Sequence, residues 1–389
     1  MWAGAPRRGF LATVGGAALA AAAVRPARSL SEIAADSRHY RLRMTRLATG
    51  LEHPWGLAVL PTGNILVTER PGRLRLVRPH DGWVSGPLAG VPPVVALGQG
   101  GLLDVALHPR FSTNRLVYLT YAAGTPEASF TALALGRLAS GGLIGTRRIF
   151  RARPSVAGGV HFGSRVTFDG KGHLFLSIGE RGEMERAQRP GEHHGKIVRL
   201  REDGSIPSDN PFRGRPGFRP GLWAIGVRNP QGLCFDRATG RLWECEHGPM
   251  GGDEINLIQL GRNYGWPRIT HGLNYDGTPI SGITRRPGME QPRRYWTPSI
   301  APSGLCVYRG RHFAAWQGNL LMGALRGQML VRLALGRSGR QIVEEEHLLT
   351  GLLGRIRAVA VGPAGKLLLL TDENPGALWR VEIAGGRTP

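Results

Sequence analysis

One short pattern recurs six times along this chain and limits what it can fold into. It reads GLAVLPTGNILVTERPGRLRLV at 56–77, directly after Trp55, then GLLDVALHPRFSTNRLVYLTYA at 101–122 and RVTFDGKGHLFLSIGE at 165–180. GLCFDRATGRLWECE at 232–246, GLCVYRGRHFAAWQGNLLMGAL at 304–325 and AVAVGPAGKLLLLTDE at 358–373 complete the set. Each copy is a short apolar strand, a turn rich in Pro, Gly, Asp or Asn, and a second apolar strand, which is the chemistry of a β-hairpin. The 58 glycines and 28 prolines among 389 residues fit many short strands better than long helices. A pair of β-sandwiches would not need the same hairpin six times. The repeat predicts an all-β fold, a six-bladed β-propeller with one hairpin core per blade, forming a single domain over 40–385. The long segments between hairpins, such as 181–221 and 256–297, are expected as loops over one face. A closed ring places ligand chemistry under such loops, at its central channel.

Residues 1–29 follow a different pattern. Arg7-Arg8 precedes Gly9, Phe10 and Leu11, an Ala-rich apolar run extends from Ala12 to Val24, and Arg25, Pro26, Ala27 and Arg28 follow. This is the form of an export signal of the twin-arginine type. The run falls short of the ~20 apolar residues a membrane span needs, so an uncleaved anchor is the lesser alternative and no stable membrane insertion is expected. The mature protein is expected outside the cytoplasm, periplasmic or secreted, as a monomer or homodimer. A net charge of +22 could serve nucleic acid, an anionic membrane or anionic ligands. The arginines are dispersed, with no long basic run and no nucleic-acid motif, so no nucleic-acid partner is expected. Three cysteines do not make a disulfide framework. Cys234 and Cys245 could face each other across one hairpin, but three buried thiols is the plainer reading.

Candidate chemistry sits at the strand ends. His161, in GGVHFGSR (158–165), precedes the third hairpin among small residues that let the backbone crowd a ligand. A neutral imidazole there suits a general base, although a lone His is more often structural. Arg228 and Asn229, in IGVRNPQG (225–232), precede the fourth hairpin and so belong on the same face. An Arg beside an Asn can clamp an anion and a carbonyl together. In EHGPMGGDEIN (246–256), Gly-Pro and Gly-Gly force an irregular backbone that exposes carbonyls, and Asp253 and Glu254 add carboxylates. That oxygen set suits calcium, with a well-bonded turn as the alternative. Arg326 follows the fifth hairpin, and Arg355 and Arg357 enter the sixth; flanking Ile356, the last two point to one side of a strand. Three converging arginines would suit a multiply anionic ligand, and solvated surface arginine is the alternative.

Together these blocks resemble the glucose/sorbosone dehydrogenase family of soluble sugar dehydrogenases that use pyrroloquinoline quinone (PQQ), and especially its aldose sugar dehydrogenase branch. The likeness runs from about His53 to Val381. It includes HPWGLAVLP (53–61), GQGGLLDVALHP (98–109), HFGSRVTFDGKGHLF (161–175), GKIVRL (195–200), IPSDNPF (206–212) and NYGWP (263–267), besides the segments quoted above. The resemblance implies a six-bladed propeller that oxidises the C1 hydroxyl of aldoses to lactones with PQQ and calcium, passing electrons to a separate acceptor. His161 matches the family's base. Gln99 matches a glutamine at the quinone site, and Arg228 with Asn229 the pair beside the quinone oxygens. Arg355 and Arg357 match arginines that bind the cofactor carboxylates. Tyr275, in GLNYDG (272–277), matches a tyrosine near the cofactor. The cofactor-site calcium would be held by the carbonyls of Gly248 and Pro249, and a second calcium would fall near Glu254 and Tyr264. The chain departs from the family at Arg326, in ALRG (324–327), where a Lys is usual; the two are not interchangeable in shape. Two rivals remain at this stage: a calcium-dependent propeller lactonase or other hydrolase, against which Arg355 and Arg357 speak, and a non-catalytic carbohydrate-binding propeller.

Overall fold

The computed structural model describes Met1 and residues 32–385, so the expected export signal lies, but for Met1, outside the described residues. Six antiparallel sheets follow one another along the chain, five with four strands and one with five, as the six hairpins predict. The quoted hairpins supply the two inner strands of each blade. They are Pro54–Val59 and Ile65–Glu69 in blade 1, Leu102–Leu107 and Leu116–Thr125 in blade 2, and Val166–Phe168 and His173–Ile178 in blade 3. Blade 4 has Pro230–Asp236 and Arg241–Glu246, blade 5 Pro302–Val307 and Leu320–Ala324, and blade 6 Ile356–Val361 and Leu367–Thr371. Blade 6 is completed from both ends of the ring. Its third strand, Gly376–Ile383, pairs with Arg41–Leu51, setting Met44 opposite Val381. Outside that pair lies Glu32–Asp36, so the blade begins ahead of position 40.

The apolar core lies between neighbouring blades. Leu66 and Leu74 of blade 1 pack with Val105 and Leu119 of blade 2, and Trp243 and Ile255 of blade 4 with Leu320 and Met322 of blade 5. Near the axis the backbones close up. A Cβ on Gly232 would meet the Ser303 carbonyl at 2.5 Å, and one on Gly304 would meet Ala358 Cα at 2.7 Å. The Gly-Leu that opens several of the repeats therefore belongs to the crowding of inner strands, not to their turns. The three cysteines are free thiols; Cys234 lies opposite Trp243 and Cys245 opposite Gly232, so the two do not face each other. Among the described residues no helix is long and apolar enough to cross a membrane.

Arg165, at the mouth of the innermost strand of blade 3, spans the axis. Its guanidinium donates to Asp104 Oδ1 of blade 2 (2.9 Å), the Gln231 carbonyl of blade 4 (2.8 Å), the Arg357 carbonyl of blade 6 (3.1 Å) and the Trp55 carbonyl of blade 1 (3.5 Å). It also lies 4.0 Å from the centre of the Trp55 ring. Asp104 Oδ2 accepts the Val166 N–H at 3.1 Å, so the pair is hydrogen-bonded on both sides. Blade 5 joins through Ser303, whose hydroxyl donates to the Ile356 carbonyl (2.6 Å) and whose carbonyl accepts from Cys245 Sγ (3.1 Å). Removing one partner of a buried ion pair strands the other charge. Asp104→Ala is therefore expected to cost about 3–5 kcal/mol in chemical denaturation. Asp104→Leu combined with Arg165→Met, which removes both charges, is expected to cost less than the single change.

Candidate active site

In an antiparallel hairpin the start of the first strand and the end of the second lie at the same end. That geometry gathers the loops entering each inner strand and the residues leaving each second strand on one face. There, at the axis, lies a cavity of about 260 Å³. Gln99, Gln231, His247, Arg355 and Arg357 line it, with the indole of Trp55.

His161 stands at its edge, beside the lining residue Phe162. Its backbone is left-handed (φ 50°), a conformation that a non-glycine residue keeps only when its surroundings enforce it. In that conformation the His161 N–H is donated to Gln99 Oε1 at 2.9 Å. Ring Nδ1 is 2.9 Å from Oε1 of buried Glu180, whose other oxygen accepts the Gly182 N–H. An ionised carboxylate can only accept, so the ring proton sits on Nδ1 and Nε2 keeps a free lone pair. Sequence reading missed Glu180. A signal was present: the second strands of blades 1 and 4 end on Glu69 and Glu246, and those of blades 3 and 6 are followed within two residues by Glu180 and Asp372.

Arg228 and Asn229 are buried next to that pair. Arg228 Nη1 donates to the carbonyls of His247 (2.9 Å) and Gly248 (3.1 Å), while its Nε has no partner among the described residues. Its backbone N–H, with that of Asn229 (3.3 Å), goes to Glu246 Oε2. Two carbonyls of the irregular 247–249 stretch therefore already converge on positive charge. Gly248 is required there, since a Cβ would lie 2.1 Å from the Gly251 carbonyl oxygen. Buried Pro249 follows directly. Asp253 proves to be a loop staple: Oδ1 accepts the Gly248 N–H (2.8 Å), and Oδ2 accepts from Ser299 Oγ (2.8 Å) and the N–H groups of Ile300 (2.7 Å) and Ala301 (2.9 Å).

Glu254 faces Glu246 across two strands of blade 4, and Glu244 faces Asn256 two pairs further along, on the same side of the sheet. Asn256 Nδ2 bridges Glu244 and Glu254, each at 3.2 Å. Glu244 Oε1 and Asn256 Oδ1 are buried without a partner among the described residues. Like charges set opposite each other repel. Burial, with Asp253 beside it, pushes the Glu254 carboxyl up to about 7 despite the Asn256 hydrogen bond. Glu244 and Glu246 are pushed well up as well, by burial first and by mutual repulsion. Orphaned acceptors among three crowded carboxyls fit an oxygen-seeking cation, which would take the place of their protons. Among the described residues no three His, Cys, Asp or Glu side chains converge as ligands, so carbonyls would have to complete the set. Tyr264 can contribute only that way: its hydroxyl donates to the Leu257 carbonyl (2.7 Å) and accepts the Gln259 N–H (2.8 Å).

The cations divide. Arg357 is buried and engages Asp372 through Nε (3.1 Å) and Nη2, and Gln231 Oε1 through Nη1 (2.9 Å). Burial alone would raise the Asp372 carboxyl, but Arg357 first, and then His53 (3.2 Å), hold it at about 2. Arg355 is exposed and makes one long bond, 3.5 Å, to the Leu325 carbonyl. Arg326 does not reach the wall. It sits in the turn after Ala324, its N–H bonded to the Ile300 carbonyl (3.1 Å), and its side chain is exposed. Arg70, unremarked in the sequence, lines the cavity instead. Tyr275 is also outside the wall, 74 % exposed on the tight 274–278 turn. His247 lines the cavity as a neutral ring. Burial, with Arg357 and Arg228 nearby, takes it down to about 3, and Nε2 bonds the Pro302 carbonyl at 2.8 Å.

Comparison with known proteins gives this arrangement its relatives. The profile of the Glucose / Sorbosone dehydrogenase family matches residues 51–380, most of the chain. The chain belongs to that family. Aldose sugar dehydrogenase YliI of Escherichia coli (strain K12) is 43% identical over 337 residues, which cover 85% of this chain and 90% of that protein. The solved structure of the soluble aldose sugar dehydrogenase from Escherichia coli in its apo-form is similar with a TM-score of 0.85 at 42% identity, covering 88% of this chain and 100% of that one. The PQQ-bound form of an aldose sugar dehydrogenase from Streptomyces coelicolor is similar at 0.69 and 30% identity, covering 91% and 99%.

The acid cluster has a pH signature. A carboxyl whose folded pKa is raised holds its proton in the folded chain after the unfolded chain has lost it, so its contribution to stability is present at low pH and lost as pH rises through the folded value. Metal-free protein should therefore lose stability between about 4.5 and about 7, the ordinary and folded values of Glu254. Glu254→Gln should flatten that slope, as read from melting temperature against pH in chelator.

Proposed function

We propose that this chain oxidises the C1 hydroxyl of aldose sugars to the lactone, with PQQ and calcium, and hands the electrons to a separate acceptor. We further read it as an exported protein, on the strength of the segment at 1–29. The observation that carries the reading is the His161–Glu180 pair at the edge of a cavity lined by Arg355 and Arg357. When bound, PQQ supplies a two-electron acceptor for the C1 hydride, polarised by calcium as a Lewis acid.

The chain's own residues do the rest. His161 Nε2, left free by the hydrogen bond at Nδ1, takes the proton of the C1 hydroxyl as the carbon gives up its hydride. Glu180 keeps the ring in that tautomer and steadies the imidazolium that results. Arg228 Nε and the Asn229 amide offer N–H groups to oxygen that gains negative charge, in a site where water screens little. Arg355, Arg357 and Arg70, which line the cavity, give carboxylates a reason to sit there. The carbonyls of Gly248 and Pro249 would hold the cofactor-site calcium, and the hole at Glu254, with the Tyr264 carbonyl, the second. The retained Arg357 is itself committed to Asp372, so Arg355 carries more of the carboxylate binding than the sequence suggested.

The direct test is dye reduction by purified apoprotein over an aldose panel, with PQQ and calcium added singly and together. Turnover is expected only with both. His161→Ala should abolish turnover and leave PQQ titration intact; unchanged turnover would remove His161 as the base. No PQQ binding by the wild type would favour the hydrolase reading instead. Because Arg326 stands outside the wall, Arg326→Ala should leave PQQ affinity close to that of the wild type. Arg355→Ala should weaken it by about tenfold or more, the scale of one charge-assisted contact, in the same titration.

A further inference from the structure

Four side chains form one continuous hydrogen-bonded run along the cavity wall and end on the His161 backbone. Arg357 Nη1 donates to Gln231 Oε1 (2.9 Å), and Gln231 Nε2 donates to Asn229 Oδ1 (3.0 Å). Asn229 Nδ2 then donates to Gln99 Oε1 (3.4 Å), and the same oxygen accepts the His161 N–H (2.9 Å). Gln231 is 7% exposed, and its own carbonyl accepts Arg165 Nε at 2.8 Å, so its backbone is anchored at the axis.

The run has a direction, and chemistry sets it. A carboxamide can present either its oxygen or its NH2, and the partners decide which. A guanidinium can only donate. Arg357, pinned by Asp372, therefore forces Gln231 to turn its oxygen towards it. That leaves Gln231 with only NH2 to offer Asn229. Asn229 must then turn its oxygen inward and its NH2 outward, which in turn requires the Gln99 oxygen to face inward and receive it. The left-handed His161 backbone hangs from that same oxygen.

We propose that Gln231 is a positioning residue for the reaction. It converts the fixed charge of Arg357 into a fixed orientation of the Asn229 and Gln99 amides, so that both present N–H groups to the cavity and His161 is held at its edge. Sugar oxidation gives those N–H groups an oxygen that gains negative charge, so this role rests on the quinone-dehydrogenase reading. The orientation itself does not depend on it. The run also joins Arg357 to the base through three amides, those of Gln231, Asn229 and Gln99.

Gln231→Glu tests this with almost no change of shape. The carboxylate keeps the contact with Arg357 but has no hydrogen for Asn229 Oδ1. Asn229 must flip and set its oxygen against that of Gln99, which loosens the His161 N–H. In ligand-free protein, nitrogen-15 NMR should show the side-chain NH2 signals of Asn229 and Gln99 and the backbone amide of His161 displaced, with the melting temperature close to wild type. In protein loaded with PQQ and calcium, kcat should fall on the order of 10²-fold, the scale of losing one oriented donor, while PQQ affinity and sugar KM stay near wild type. Unmoved NMR signals would overturn the proposal, as would a kcat equal to that of the wild type. A loss of kcat tracking a loss of melting temperature, with the signals in place, would also overturn it, since that marks lost packing. If the wild type takes up no PQQ, the dehydrogenase reading fails, and the NMR comparison alone decides the orientation of the amides.

Discussion

The Arg165 guanidinium sits where the inner edges of the blades converge, and much of the molecule is arranged around that charge. A propeller buries most of its apolar surface between blades, in sectors such as those joining blades 1 and 2 or 4 and 5. The axis is different. Inner strands meet there with their carbonyls facing one another, and a hollow lined by carbonyls favours positive charge. Arg165 provides it, donating to three of those carbonyls and to Asp104. The cost of burying the charge is offset by that full set of acceptors. Two of the carbonyls belong to Gln231 and Arg357, whose side chains face the cavity. The scaffold and the site are therefore joined at the backbone of the same residues.

Electrostatics divides the cavity surroundings into two provinces. On the blade 6 side, Asp372 is neutralised by Arg357 and stays ionised far into acid. On the blade 4 side, Glu244, Glu246 and Glu254 crowd together with no ion-pair partner among the described residues, and their carboxyls are pushed the other way. Arg228 lies between, its guanidinium on carbonyls and its backbone N–H on Glu246. Such opposed settings of similar groups are what a site needs to bind an anion at one end and a cation at the other.

Much of this was legible in the sequence, for a physical reason: a hairpin is local, so its turn chemistry and alternation are written in consecutive residues, and six copies remove the ambiguity of one. The residues entering the inner strands, His161, Arg228, Asn229, Arg355 and Arg357, could be placed at strand ends by the same logic, whereas Gln99 was marked only by the family resemblance. What stayed hidden was pairing between blades. Glu180 reaches His161 within a blade, but Gln231 reaches Arg357 across 126 positions and Arg165 reaches Arg357 across 192. No spacing rule encodes such contacts. Arg326 and Tyr275 show the converse: a motif fixes which residue is present, while the turn it occupies decides where the side chain points.

The seam in blade 6 bears on how this molecule comes into being. Met44 meets Val381, so the strand that shuts the ring draws on residues near opposite ends of the described chain. Contacts of such long sequence separation are slow to find. Until that seam zips, the blades stand as an open arc with two bare sheet edges, the kind of surface on which strands of other chains add. An open arc, rather than the finished ring, is therefore the form whose edges need protection from its own kind.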